Sequence, residues 1–134
     1  MSFREKRAWI GLVSLLAVYG GYFLLWGGGA TSFIVQLAAT VAILIAVQMT
    51  LLVGAAVAAP EDARAPLDER DRRIDLGAGR AGFFALQAGL FGALAAAGLG
   101  AAPAFTARLL LAVMVAGELA RYGWQALAYR RGAA

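Results

Sequence analysis

The sequence predicts an all-α integral membrane protein, a four-helix bundle with both termini in the cytoplasm. Of its 134 residues, 62% are hydrophobic and 15% are charged, whereas about a quarter of the residues in soluble domains are charged. No charged residue occurs from Ala8 to Pro60 or from Ala81 to Ala107, and one membrane crossing needs about 20 apolar residues. The charges gather near the ends and in the middle of the chain, as in a protein that crosses a membrane several times.

Turn residues divide the apolar stretches into four expected spans. Glycines in "GGGATS" (27–32) break the first stretch, and Ser32 is a suitable helix cap. Pro60 stops the second span, because proline does not continue a helix. A second turn with glycines, "GLGAAPAFT" (98–106), separates the last two spans. The expected spans are 8–26, 33–58, 80–99 and 105–129, with a loop over 60–79, and together they make residues 1–134 a single transmembrane domain.

The fourth span is the only one with charges beyond its first residue. A charge at the centre of a membrane helix costs about 2.5–3.5 kcal/mol on insertion scales. Arg108 lies one turn from the end of the span, so its long side chain can reach the membrane surface. Glu118 and Arg121 stand three residues apart on one helix face and can partly neutralise each other. These positions lower the cost of inserting the charges, so the sequence is compatible with a fourth crossing.

Basic residues predict the direction of the spans. With four crossings, Arg108 alone falls on one side and the other basic residues fall on the opposite side. Such an excess marks the cytoplasmic side of a membrane, so both termini and the 60–79 segment are expected inside. Ala, Gly and Arg are abundant, which is typical of GC-rich bacterial genomes, so the bacterial inner membrane is the expected location. The basic residues on the inner side are Arg4, Lys6, Arg7, Arg64, Arg70, Arg72, Arg73, Arg80, Arg121, Arg130 and Arg131.

Polar residues within the spans form the first candidate site. At a rise of about 1.5 Å per residue, Ser14, Gln48, Gln87 and Glu118 come to similar depths, roughly 7–10 Å from the cytoplasmic boundary. Such a layer would satisfy polar groups that hydrocarbon cannot. An ionisable residue in a membrane is a functional candidate. Either Glu118 carries protons or a cation, or it forms an ion pair with Arg121 that fixes the helix register.

The absence of cysteine and histidine excludes several chemistries. Disulfides, thiolate nucleophiles, zinc sites with Cys or His ligands, and haem with a His or Cys axial ligand cannot form. P-loop, G-x-S-x-G and Rossmann fingerprints are also missing. We therefore expect no enzymatic activity, no cofactor and no metal. The net charge of +4 is better explained by orientation in the lipid bilayer than by direct nucleic-acid binding.

The segment "LDERDRRID" (67–75) is the second candidate site, because seven of its nine residues are charged. Pro66 suits the first turn of a helix. We expect a short helix over 66–76 and a flexible joint at "GAGRAG" (77–82), because glycine weakens helices. The segment is either a solvated connector or a docking surface. Its candidate docking residues are Asp68, Glu69, Arg70, Asp71, Arg72, Arg73 and Ile74.

The motif "DERDRRI" (68–74), within four short spans, resembles a family of small prokaryotic membrane proteins of unknown function. In that family a D-E-R-[DE]-x-x-I motif lies between the second and third spans. The resemblance maps Asp68, Glu69, Arg70, Asp71 and Ile74 onto the motif and implies no catalytic residue. Members are often encoded beside a small helix-turn-helix regulator, so the resemblance implies a cytoplasmic regulator as a partner for this loop.

Two functions are compatible with these sites. The first is a non-enzymatic interaction or regulatory protein that docks a cytoplasmic partner through residues 67–75. The alternative is a small transporter or exporter subunit that uses Glu118 in the membrane. Small multidrug exporters also have four short spans, but their acid lies in the first span, and residues 8–26 contain none. The sequence leaves open whether the chain forms a homodimer.

Overall fold

The protein is all-α over the residues that the computed structural model describes, which are 3–25, 32–66 and 68–132. Four of its helices are long and apolar enough to cross a membrane. The predicted all-α class with four membrane-length helices is therefore confirmed, and the helices are those of a multi-pass membrane protein. The helices are α1 (Phe3–Leu25), α2 (Phe33–Ala58), the short α3 (Pro60–Arg64), α4 (Glu69–Gly98) and α5 (Pro103–Arg130).

The helix bounds agree with the expected spans at some ends and differ at others. Helix α2 begins and ends where the second span was expected. Helix α4 begins at Glu69, well before the expected start of the third span, so much of the expected 60–79 loop is helical. Trp26, most of the 27–32 turn and Leu67 lie outside the described residues.

The prediction of a flexible joint at residues 77–82 is wrong, because α4 continues through these residues without interruption. The reason is close packing against α5. A Cβ atom placed on Gly77 would come within 2.6 Å of Nε1 of Trp124, and one on Gly82 within 3.1 Å of the Gly117 carbonyl oxygen. Contacts with a second helix thus outweigh the low helix propensity of these glycines, about 1 kcal/mol each.

The chain divides into two compact units, Met1–Pro66 and Leu67–Ala134. In the first unit, one face of α1 is buried, at positions spaced three and four residues apart. The Arg4 guanidinium, near the start of α1, donates a hydrogen bond to the Ala65 carbonyl at 2.9 Å, just after α3. This contact ties the beginning of the unit to its end. The buried residues of α1 are Ala8, Gly11, Ser14, Leu15, Tyr19 and Tyr22.

The second unit is an antiparallel hairpin of α4 and α5. Its turn has the hydrogen bonds of a Schellman motif: the Gly100 amide donates to the Ala97 carbonyl, and the Ala101 amide to the Ala96 carbonyl, each at 3.0 Å. Gly100 has a φ of 86°, in the left-handed region. Pro103 then begins α5 at a position where proline is favoured. The turn occupies residues 99–102, within the expected 98–106 segment, and depends on one glycine.

Replacing Gly100 by alanine is expected to lower the free energy of unfolding by about 1–2 kcal/mol, the cost of a left-handed residue with a Cβ atom. No atom lies within 4 Å of the added methyl group, so the cost is conformational. Denaturant unfolding in detergent micelles would measure the change. The matched control is Gly92→Ala, inside α4, where the added methyl also meets nothing within 4 Å; a loss of stability equal to that of Gly100→Ala would contradict the assignment.

Candidate functional site

Hydrogen bonds tie the start of α4 to the end of α5. The Tyr129 hydroxyl donates to Oδ1 of Asp71 at 3.0 Å. Four residues earlier on α5, Nε2 of Gln125 donates to Oδ1 of Asp75 at 2.9 Å. Both pairs are spaced by one helical turn on helices that run in opposite directions. They therefore hold the charged end of the hairpin in a fixed register, and we call them the hairpin clamp.

Glycines bring the backbones of α4 and α5 together beyond the hairpin clamp. At Gly82 and Gly117 the two helices approach so closely that a Cβ atom on Gly82 would lie 3.1 Å from the Gly117 carbonyl oxygen. Further along, a Cβ atom on Gly89 would lie 2.7 Å from Cγ1 of Val113. Packing of small residues replaces the hydrophobic drive that lipid removes. The hairpin is thus held by glycine contacts inside and by hydrogen bonds at its charged end.

The first acid of the motif caps α4. The Asp68 carboxylate accepts a hydrogen bond from the Glu69 amide at 2.6 Å and also from the Asp71 amide. The Asp71 carboxylate accepts in return from the Asp68 amide at 3.2 Å. Such a reciprocal capping box satisfies amides that have no partner within the helix. It explains why α4 begins at Glu69 and not at the apolar stretch.

The candidate docking residues therefore divide into two groups. Asp68 and Asp71 are engaged in the cap and the hairpin clamp, and Ile74 is 3% exposed, so its side chain is not available to a partner. Glu69 and Arg73 form an exposed ion pair at 2.8 Å. The exposed residues lie three or four positions apart on the side of α4 away from α5, and we call them the outer strip. The outer strip consists of Glu69, Arg72, Arg73, Leu76 and Arg80, and Arg70 is exposed beside it.

The structure brings the predicted polar layer together only in pairs within each unit. In the first unit, buried Ser14 accepts a hydrogen bond from Nε2 of Gln48 at 3.1 Å. In the second, Glu118 and Arg121 form an ion pair at 3.6 Å. Gln87 is half-buried on α4 and belongs to neither pair. A continuous layer across four helices stays a prediction.

An open groove of about 350 Å³ runs along one side of the α4–α5 hairpin. It contains the Glu118–Arg121 pair, whose side chains are each about half exposed. Among the described residues, no group of three or more metal-ligating side chains comes together, so the groove offers mixed charge and not a metal cage. Its lining consists of Asp75, Gly79, Gly82, Phe83, Leu86, Met114, Gly117, Glu118 and Arg121.

Sequence reasoning missed the hairpin clamp and the groove. A signal for the hairpin clamp was present, since Asp71 and Asp75 are one turn apart and so are Gln125 and Tyr129. Matching the two pairs requires the register of α4 against α5. That register is set by glycine contacts that the sequence does not reveal.

Comparison with known proteins finds no relative of this chain. No protein-family model matches it, and no curated protein or solved structure matches it either. The resemblance to the four-span family stays a prediction based on residues 68–74.

Replacing Tyr129 by phenylalanine is expected to lower the free energy of unfolding by about 1 kcal/mol, because the Asp71 carboxylate loses a hydrogen-bond donor. Denaturant unfolding in detergent micelles measures the change. Tyr122→Phe is the matched control on the same helix, and it retains the ring over which the Arg121 guanidinium lies at 5.8 Å. If both substitutions have the same effect, the hydroxyl of Tyr129 does not contribute to the hairpin clamp.

Proposed function

We propose that the chain is a non-enzymatic protein of the bacterial inner membrane that docks a cytoplasmic protein through the start of α4. Both termini and the segment 60–79 lie in the cytoplasm in this proposal. The observation that carries it is the outer strip, a row of exposed residues with three arginines on a helix fixed at its start. The four long apolar helices support a multi-pass membrane protein.

The length of α4 favours a protein partner over lipid headgroups. Its 30 residues make a helix about 45 Å long, whereas a hydrocarbon layer of about 30 Å takes about 20 residues. Counted back from Gly98, about ten residues of a helix near the bilayer normal extend past the hydrocarbon. Arg72 and Arg73 then stand roughly 9–11 Å beyond it, whereas the headgroup layer is about 5–8 Å thick.

The hairpin clamp supports docking, because it makes this extension rigid. The capping box and the bonds from Tyr129 and Gln125 use the acids of the segment within the hairpin. A surface that is ordered before binding loses less conformational entropy when a partner binds. The segment is therefore better suited to recognition than a solvated connector would be.

The chemistry of the outer strip indicates an acidic partner surface. Arg72 and Arg73 are exposed and stand in the part of the outer strip that extends past the headgroup layer. Guanidinium groups pair with carboxylates through two parallel hydrogen bonds. By resemblance alone, the partner is a helix-turn-helix regulator, whereas direct binding of nucleic acid by this chain is not proposed. A homodimer is compatible with the same surface.

A photo-crosslinking amino acid at position 69, which is exposed at the start of α4, is expected to capture a cytoplasmic protein in intact cells. The same group at position 99, a residue that is 89% exposed at the other end of α4, is the matched control. Reversing two charges, Arg72→Glu with Arg73→Glu, should abolish the adduct at position 69 because an acidic partner is repelled. Adducts at position 69 that contain only lipid or only the chain itself would contradict docking of a cytoplasmic partner.

Cysteine labelling tests on which side of the membrane the start of α4 lies. Because the chain contains no cysteine, Arg70→Cys introduces a unique label. A membrane-impermeant maleimide should react in inverted vesicles and not in intact cells. Labelling from the periplasmic side would contradict the proposed orientation.

Transport through Glu118 is the second candidate, since this carboxylate is half-exposed in an open groove of a candidate span. Ethidium, a lipophilic cation, is a suitable probe in inverted vesicles with a pH gradient. In this candidate Glu118→Gln abolishes ethidium transport by the chain, and the exposed Glu69→Gln does not. Equal rates with and without the chain would exclude ethidium transport.

A further inference from the structure

The groove on the α4–α5 hairpin has a floor without side chains. Gly79, Gly82 and Gly117 all contribute to it, and a Cβ atom on Gly79 would meet nothing within 4 Å. Glycines at Gly82 and Gly117 are explained by the helix crossing. Gly79 has no such contact. Because it has no side chain, the space beside it in the groove is open.

One end of the groove is charged and its charges are incompletely satisfied. Asp75 accepts one hydrogen bond, from Gln125, through Oδ1. Oε2 of Glu118 and Nη1 of Arg121 are 3.6 Å apart. A direct hydrogen bond between charged groups is shorter, about 2.7–2.9 Å. The groove therefore presents two carboxylates and one guanidinium, each with capacity for a further partner.

The other end of the groove is apolar. Leu86 and Met114 lie on facing helices, within the stretches that are apolar enough to cross a membrane. Phe83 lies between this end and the charged end, and 56% of it is exposed. The groove thus changes from charged to apolar as α4 passes from its charged start into its apolar stretch. A ligand that matches this order has a polar head and a hydrocarbon tail.

We propose that this groove binds a phospholipid with a primary ammonium and a phosphate in its headgroup, as in phosphatidylethanolamine. The ammonium is held by the carboxylates of Asp75 and Glu118, the phosphate by Arg121, and an acyl chain lies against Leu86 and Met114. The volume of about 350 Å³ is within the range of about 300–1,000 Å³ for ligand sites. The proposal is independent of docking, because the outer strip does not line the groove.

The charge balance selects this headgroup among common phospholipids. Two carboxylates against one guanidinium leave the groove with an excess of negative charge, which disfavours a purely anionic headgroup. A primary ammonium donates three hydrogen bonds, whereas the trimethylammonium of a choline headgroup donates none. An amine-bearing lipid therefore satisfies the carboxylates and the guanidinium together.

Native mass spectrometry of the purified chain tests the proposal with ethanolamine, choline and glycerol phospholipids of identical acyl chains. The chain is expected to retain the ethanolamine lipid at least about threefold better than the choline lipid, the size of one exposed ion pair. Glu118→Gln should reduce this preference about threefold. Gly79→Leu should abolish retention, because its side chain fills the groove.

The control for Gly79→Leu is Gly92→Leu, a position on α4 that is equally open and does not line the groove; this variant should retain the lipid. If circular dichroism shows that Gly79→Leu is unfolded, the lipid preference of Glu118→Gln, which conserves the shape of the side chain, tests the proposal instead. Soluble phosphoethanolamine should not displace the lipid; full displacement would overturn the proposal, because the site would then take the free headgroup. Equal retention of ethanolamine and choline lipids, preference for the glycerol lipid, or full retention by folded Gly79→Leu would overturn the proposal.

Discussion

Close approach of two backbones at Gly82 and Gly117 is the interaction on which the hairpin of α4 and α5 depends. In lipid the hydrophobic effect does not drive helices together, so contact area between small residues has to supply the attraction. The crossing sets the register of one helix against the other. With that register, Asp71 comes to Tyr129 and Asp75 to Gln125. It also leaves an open groove beside the crossing.

The charge cluster of this apolar chain has two roles within one short segment. Its aspartates stabilise the hairpin, because they cap α4 and accept hydrogen bonds from α5. Its arginines at 70 and 72 are exposed. A helix whose first turns are charged and largely exposed gains little from burial there, so a cap and lateral hydrogen bonds stabilise its start. The same residues that give this support leave an ordered row of basic groups on the outside.

The sequence was sufficient for the fold class and for the number of long helices, because both follow from uncharged length. It was insufficient at residues 77–82, where glycine propensity predicted a joint and packing against α5 gave a continuous helix. The glycines at the helix contacts, Gly77, Gly82 and Gly117, are unevenly spaced, so no regular pattern in the sequence marks them. The hairpin clamp and the groove depend on the register that these contacts determine. Propensity and periodicity are local properties, whereas register belongs to a pair of helices.

The bond from the Arg4 guanidinium to the Ala65 carbonyl has a consequence for biosynthesis. It closes the first unit with residues that are all synthesised before α4. Each unit is continuous in sequence, and hairpins of neighbouring helices form from contacts at short separation along the chain, which favours rapid folding. Folding of the nascent chain can therefore proceed in translation order, one unit after the other.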